Sequence, residues 1–250
     1  MTPLPPRLQL EGADKRYGDL AVVQDLSLDL AVGECLALLG PSGCGKSTVL
    51  KMAAGLLAPD AGRVLLDGRP LPGPGRLGYM PQQDLLLPWR RLIDNVVLGL
   101  QLQGVPRAEA RERARERLAL FGLDGFEKAW PGELSGGMRQ RAALLRTVLA
   151  GHDTLLLDEP FGALDALSRM ALQDWLAAMA EGFGWTLLVV THSPEEAVYL
   201  ADRVLVLGPR PARPRAQITV DLPRPRVPAL RAEPAFGREV GRVLTALGLA

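Results

Sequence analysis

Gly40-Pro41-Ser42-Gly43-Cys44-Gly45-Lys46-Ser47 sets three glycines and a lysine followed by a hydroxyl within eight residues, a spacing suited to phosphate chemistry. The glycines let successive backbone N–H groups turn inward around an anion, and a helix starting near Gly45 adds its positive end. Lys46 brings a compact charge to the β- and γ-phosphates of a nucleotide, and the Ser47 hydroxyl suits magnesium. Only four lysines occur in the chain, Lys15, Lys46, Lys51 and Lys128, against a large majority of arginines. A lysine here is therefore informative, because the arginine fork does not replace a point charge inside a tight loop.

The second half of such a site needs an acid at the end of another buried strand. Thr154-Leu155-Leu156-Leu157-Asp158-Glu159 provides two adjacent carboxylates. On this pattern Asp158 holds magnesium, and Glu159 orients the attacking water or takes its proton. Neighbouring side chains on a strand point to opposite faces, so both can serve one site only if the strand ends there, and Pro160 agrees.

These residues need elements to position them. Cys35–Leu39 reads as a buried strand ending at Gly40, and a helix runs from Ser47 until Gly55 and Pro59 stop it. Residues 63–67 and 76–80 read as short strands. From about Leu85 to Gly151 the signal is helical, with Ala110, Ala114, Leu118 and Phe121 forming a thin stripe on an Arg/Glu-rich helix. Thr154–Asp158 and Thr186–Thr191 are apolar strands flanking a helix over 166–180. Alternating strands and helices predict a parallel α/β sheet whose active edge is the carboxyl end of its strands. Past Gly208 the composition turns to Pro and Arg; a short strand over 217–222 could pair with 203–207, and the arginines read as a solvated, charged stretch rather than a lipid contact.

The 250 residues carry 29 basic and 28 acidic side chains, a formal +1, so no net field points to nucleic acid. Cys35 and Cys44 are too few for a disulfide framework and read as packing residues. The start, MTPLPPRLQLEG, lacks the apolar stretch of a signal peptide, and charge-free stretches fall short of a spanning helix.

With Leu134-Ser135-Gly136-Gly137-Met138 the chain resembles the ATP-binding cassette (ABC) ATPases, the energy subunits of membrane transporters. The resemblance covers nearly the whole length through motifs in order: Tyr17 in Lys15-Arg16-Tyr17-Gly18, the phosphate loop, Gln82 ahead of Leu87-Pro88-Trp89, LSGGM, LLLDEP, Gly162-Ala163-Leu164-Asp165 and Thr191-His192. It implies a P-loop NTPase (RecA-like) α/β core with an antiparallel β subdomain and an inserted α-helical subdomain. The core would take residues 1–84 and 152–222, the helical subdomain 85–151, and a C-terminal tail 223–250.

The resemblance further implies ATP and Mg2+ as cofactors and a head-to-tail dimer, with a second copy or a paralogous ATPase, that sandwiches two ATP molecules. In it Gly40, Pro41, Ser42, Gly43, Cys44, Gly45, Lys46, Ser47 and Thr48 bind ATP and Tyr17 stacks on adenine. Leu134, Ser135, Gly136, Gly137 and Met138 open a helix over 138–150 and act on the other subunit's ATP, with Asp165 reaching across. Glu159, His192 and Gln82 are catalytic, and Ser47, Gln82 and Asp158 hold Mg2+. Gln83 adjoins Gln82, and spacing in similar proteins favours the latter. Leu86, Leu87, Pro88, Trp89 and Arg90 are candidates for permease contact, with a core reading equally open for Trp89. The expected place is the cytoplasmic face of the membrane, on integral permease subunits, served by a periplasmic or lipid-anchored solute-binding protein. LLLPWR, FGALDALSR and VDLPRPR look like importers of the nitrate, sulfonate and taurine type, which include carriers of thiamine-precursor pyrimidines. Cassettes acting on DNA usually need coiled-coil arms or a DNA-binding surface, and ribosomal ones normally carry two cassettes; this chain has neither a long heptad segment nor room for a second cassette.

Overall fold

Apolar runs without polar alternation dictate strands covered on both faces. The computed structural model describes residues 5–162 and 164–249; Ala163 of the Gly162–Asp165 motif lies outside the described residues. The first half holds β1 (Leu8–Tyr17), β2 (Leu20–Leu30), β3 (Cys35–Leu39), α1 (Lys46–Ala53), β4 (Ala61–Leu66), β5 (Arg69–Pro70) and β6 (Gly78–Met80). Four helices follow: α2 (Leu92–Val96), α3 (Leu98–Leu102), α4 (Arg107–Leu118) and α5 (Gly136–Leu149). The last part holds β7 (Thr154–Asp158), α6 (Ala166–Phe183), β8 (Thr186–Thr191), α7 (Pro194–Leu200), β9 (Arg203–Leu207), β10 (Pro214–Thr219) and α8 (Pro234–Leu247).

Two sheets form, an antiparallel one in the order β2-β1-β4-β5 and a six-stranded one in the order β10-β9-β3-β8-β7-β6. In the larger sheet every pair is parallel except β9 with the edge strand β10. Its strands divide their side chains between two cores with period two. Leu36, Leu38, Leu156, Leu188 and Val190 pack towards α1 and the antiparallel sheet. Ala37, Leu39, Leu155, Leu157, Leu187 and Val189 pack towards the other helices. Each fully buried Leu or Val removes enough apolar surface from water to contribute roughly 1.5–3 kcal/mol. The strands whose ends carry the carboxylates and the phosphate loop are thus packed on both faces.

The Arg/Glu-rich α4 buries only its stripe, Ala110, Ala114, Leu118 and, just beyond, Phe121, and carries the Glu109–Arg113 pair on its wet face. Asp94 of α2 ties it down, accepting from Arg107 and Arg111 at 2.8–3.1 Å.

Residues 223–250 are more than a tail. Residues 234–247 form α8, and Phe236 and Val243 are buried in the larger core. The strand expected over 217–222 is β10, which starts three residues earlier, at Pro214; as an edge strand it tolerates the proline. Four of the five arginines of the Pro/Arg-rich stretch, Arg210, Arg213, Arg215 and Arg224, are exposed, as the sequence suggested, yet all five also bond within the chain. Arg224 pairs with Asp202 at 2.8 Å, Arg226 is buried on the Ala201 carbonyl, and Arg215 bonds the Leu247 carbonyl. Both cysteines are buried and free, as their composition suggested. Burial pushes the Cys35 thiol up to about 12. Among the described residues, no helix is long and apolar enough to cross a membrane.

Candidate functional site at the strand ends

The loop after β3 folds as a nest of donors. Gly43 and Gly45 take φ values of 72° and 124°, open to glycine at little cost. Among the described residues, the N–H groups of Gly43, Gly45, Lys46 and Ser47 have no hydrogen-bond partner within the chain, whereas those of Cys44 and Thr48 bond to Pro41 and Gly45 carbonyls. Four converging donors at the start of α1 suit an anion with several acceptor oxygens, such as a polyphosphate. Lys46 is the one buried lysine of the four, and its Nζ donates to the Gly40 and Pro41 carbonyls at 2.8 Å each, inside the loop. Lys15, by contrast, pairs with Asp60 at 2.6 Å.

Opposite the loop, the Ser47 hydroxyl donates to Asp158 Oδ1 at 3.2 Å. Asp158 is 3% exposed. Burial raises its carboxyl above the ordinary range and the charge of Glu159 adds to this, while the Ser47 hydrogen bond and the charges of Lys51 and Lys46 act the other way. Two hard oxygen donors beside a lysine and a phosphate nest fit a small divalent cation of the magnesium type.

The strand ends where the two carboxylates require it. Asp158 is the last residue of β7, and Glu159 takes φ = 47°, a left-handed conformation that breaks the strand alternation. Its N–H bonds the Val190 carbonyl of β8 at 3.0 Å. Gln82 Nε2 donates to Glu159 Oε2 at 3.0 Å, and His192 Nδ1 lies 3.5 Å from the same oxygen. Three chain-distant residues, Gln82, Glu159 and His192, therefore meet at one carboxylate beside the loop. Gln82, rather than its neighbour Gln83, makes this contact.

Other expected residues lie apart from this cluster. Tyr17, at the end of β1, is 52% exposed. Ser135 is exposed and caps α5, accepting from Met138 N at 3.2 Å. With this cap the helix begins at Gly136, two residues before the expected start. Gly136 and Gly137 thus offer first-turn N–H groups, which have no partner inside a helix. Leu134 is buried and acts as an anchor. Among the described residues, no hydrogen bond joins Ser135–Met138 to the phosphate loop of the same chain. Asp165 caps α6 by accepting from Ser168 N at 3.0 Å. Trp89 is 70% exposed, which removes its core reading, but Leu86 is buried and leaves the set of exposed contact candidates. Two α5 arginines not singled out from sequence fasten the segment after Gln82. Arg139 pairs with Asp84 at 3.1 Å, and Arg146 bonds the Asp84 and Leu85 carbonyls at 2.6 and 2.8 Å.

Behind the cluster Glu196 is buried, and one carboxyl oxygen lacks a partner among the described residues. Burial pushes it up to about 7 and Glu159 adds to the shift, against Thr191, Arg169 and Gln173. An acid raised this way is still protonated in the folded chain at pH values where the unfolded chain has ionised. Stability therefore falls as pH rises from about 4.3, the unfolded value, towards 7. Glu196→Gln should raise the thermal midpoint by a few degrees at pH 8 and much less at pH 5. An equal effect at both pH values would contradict the assignment.

The family model described as "ABC transporter" matches residues 23–162. The taurine import ATP-binding protein TauB of Pseudomonas aeruginosa is 47% identical over 87% of this chain and 85% of its own length. The aliphatic sulfonates import ATP-binding protein SsuB 2 of Burkholderia cenocepacia is 43% identical over 97% of this chain and 87% of that protein. Among solved structures, the dimeric bacterial ABC transporter cassette MJ0796 superposes with a TM-score of 0.76 at 28% identity, covering 86% of this chain and 99% of that one. The same cassette has also been solved as a dimer bound to ADP and Pi in a post-hydrolysis state. A family model spanning more than half of the residues, and relatives matching nearly end to end, agree with the nest and carboxylates found at the strand ends: the chain belongs to the ABC transporter family.

Proposed function

We propose that this chain is the ATP-hydrolysing subunit of a bacterial importer for a small solute of the nitrate, sulfonate, taurine or thiamine-precursor type, working on the cytoplasmic face of the membrane. The observation that carries the ATPase reading is the meeting of Gln82, Glu159 and His192 at one carboxylate beside a four-donor phosphate loop. The names of the relatives favour a sulfonate within the solute set.

In this reading Gly40–Thr48 wrap the phosphates and Lys46 turns from loop carbonyls to the β- and γ-oxygens. Ser47, Asp158 and Gln82 would hold magnesium, which would supply positive charge against that developing on the phosphates. Gln82 and His192 fix Glu159 through Oε2, and its other oxygen accepts a proton from the water attacking the γ-phosphorus. The bond to the bridging oxygen breaks, giving ADP and phosphate. Catalysis is mostly positioning and electrostatics. Tyr17 stacks on adenine.

Ser135, Gly136 and Gly137 open α5 and make no hydrogen bond to their own loop among the described residues, so the γ-phosphate they receive is the one held by a second copy, with Asp165 at the same junction. ATP joins two subunits and hydrolysis releases them, which drives the permease. Residues 85–151 act as the helical subdomain between the two parts of the core, 1–84 and 152–222, and exposed Trp89 with Leu87, Pro88 and Arg90 meets the permease. A solute-binding protein delivers the cargo from the other side.

Affinity purification of the tagged full chain from detergent-solubilised membranes is expected to retain an integral membrane protein at near-equal stoichiometry. Salt-sensitive retention on DNA or ribosomes instead would overturn the transport reading.

A further inference from the structure

The phosphate loop has an outer wall that sequence motifs do not mark. It is the turn between β9 and β10, closed by Gly208 N bonding the Arg213 carbonyl at 3.0 Å. This turn reaches all three loop glycines. A Cβ on Gly40 would sit 3.1 Å from the Leu207 Cβ and carbonyl oxygen. One on Gly43 would sit 3.3 Å from Arg210 Nη2, and one on Gly45 would sit 3.2 Å from the Ala212 Cβ and 2.7 Å from the Val22 carbonyl. Ala212 is stitched to β2 by bonds to the Val22 carbonyl at 2.8 Å and from Gln24 N at 3.0 Å, and Arg213 bonds the Gln24 side chain at 2.6 Å. The wall is therefore held from both sheets.

At its centre, Arg210 donates through Nε and Nη2 to the Gly43 carbonyl at 3.0 and 2.6 Å. In a trans peptide the C=O and the following N–H point in opposite directions. A carbonyl held outward by a two-pronged guanidinium turns the Cys44 N–H towards the loop interior, where it meets the Pro41 carbonyl at 3.3 Å. Glycine at 43 leaves this peptide the freedom to flip, and the charged fork removes it.

We propose that Arg210 is a positioning residue for nucleotide binding: it locks the Gly43–Cys44 peptide with the Cys44 N–H closed on the Pro41 carbonyl, and so holds the loop in the shape that leaves the N–H groups of Gly43, Gly45, Lys46 and Ser47 free for the phosphates. This rests on the phosphate-loop reading given above. It assigns a role in ATP affinity to the Pro/Arg-rich turn.

Arg210→Ala and Arg210→Lys in the full chain test it, with ADP binding measured by calorimetry and ATP turnover measured on the assembled transporter. For alanine, the Kd for ADP and the KM for ATP should rise about 5–10-fold, the size of one net hydrogen bond, and the loss should fall on KM rather than kcat. Lysine, with one point charge for two prongs, should recover part of the affinity. The nucleotide-free thermal midpoint should stay within about two degrees of wild type, an exposed bond contributing little to global stability. Kd and KM within twofold of wild type in Arg210→Ala would overturn the proposal. So would a loss of kcat and midpoint at unchanged KM, the mark of a merely structural residue. Lys46→Ala, run alongside, separates the two levels: if it binds ADP within a few-fold of wild type, the phosphate-loop reading itself fails, and with it the role of Arg210.

Discussion

Lys46→Ala should weaken ATP binding by about 100-fold or more, the loss of two charge-assisted hydrogen bonds in a site that shields them from water. The side chain is 5% exposed and already inside the loop, so its charge need not be brought from solvent. Its only partners among the described residues are two loop carbonyls, which water can satisfy, so the fold should survive. Lys46→Arg should not restore binding, because a planar fork does not fit where a compact ammonium sits between Gly40 and Pro41. Calorimetric titration with ATP and magnesium checks both variants, with the nucleotide-free thermal midpoint as the folding control. An affinity within a few-fold of wild type would remove Lys46 from the phosphate site.

Glu159→Gln should lower turnover by about 10²–10⁴-fold, the usual worth of a general base, while ATP affinity changes by no more than a few-fold. Glutamine keeps the shape and tolerates the contact to Gln82, whose amide can turn its oxygen or nitrogen to suit. It cannot take a proton from water. The backbone at this position is left-handed, φ = 47°, in both residues, so the substitution adds no new backbone strain. Single-turnover measurement of phosphate release separates the chemical step from binding. Unchanged release would move the base elsewhere, with His192, 61% exposed and 3.5 Å from the same carboxylate, the next group to examine.

The parts of this molecule that were legible in its sequence are those whose physics is local. Cys35–Leu39 before a glycine loop and Thr154–Asp158 before a proline are strands because each is an unbroken apolar run with a stop signal, and the observed bounds match both. The demand that β7 end at Asp158 came from the alternation of strand side chains, and the left-handed Glu159 meets it. Gln82 over Gln83 rested on spacing in similar proteins, and the Gln82–Glu159 bond across 77 residues supports that choice.

What was not legible depends on contacts between distant segments. Arg210 on Gly43 and Arg224 on Asp202 are pairings the sequence cannot announce: both side chains are exposed, as a Pro/Arg-rich stretch suggests, but each is fastened to a distant segment. The tail concealed α8 because Pro234 and the nearby arginines masked an apolar stripe through Phe236, Val240, Val243 and Leu247; Pro234 stands in the first turn, where a proline is tolerated. Leu86 and Trp89 are both large and apolar, and only the packing of the segment against α2 and α5 decides that the first is buried and the second exposed.

ATP is shared between two copies in this reading, since among the described residues no hydrogen bond joins Ser135–Met138 to the phosphate loop of the same chain. The most direct measurement is the molar mass of Glu159→Gln by light scattering with ATP and with ADP. The account predicts double the 26.9 kDa of one chain with ATP, a single chain with ADP, and no ATP-dependent doubling once Ser135→Arg is added. A single-chain mass at saturating ATP, with binding intact, would contradict it.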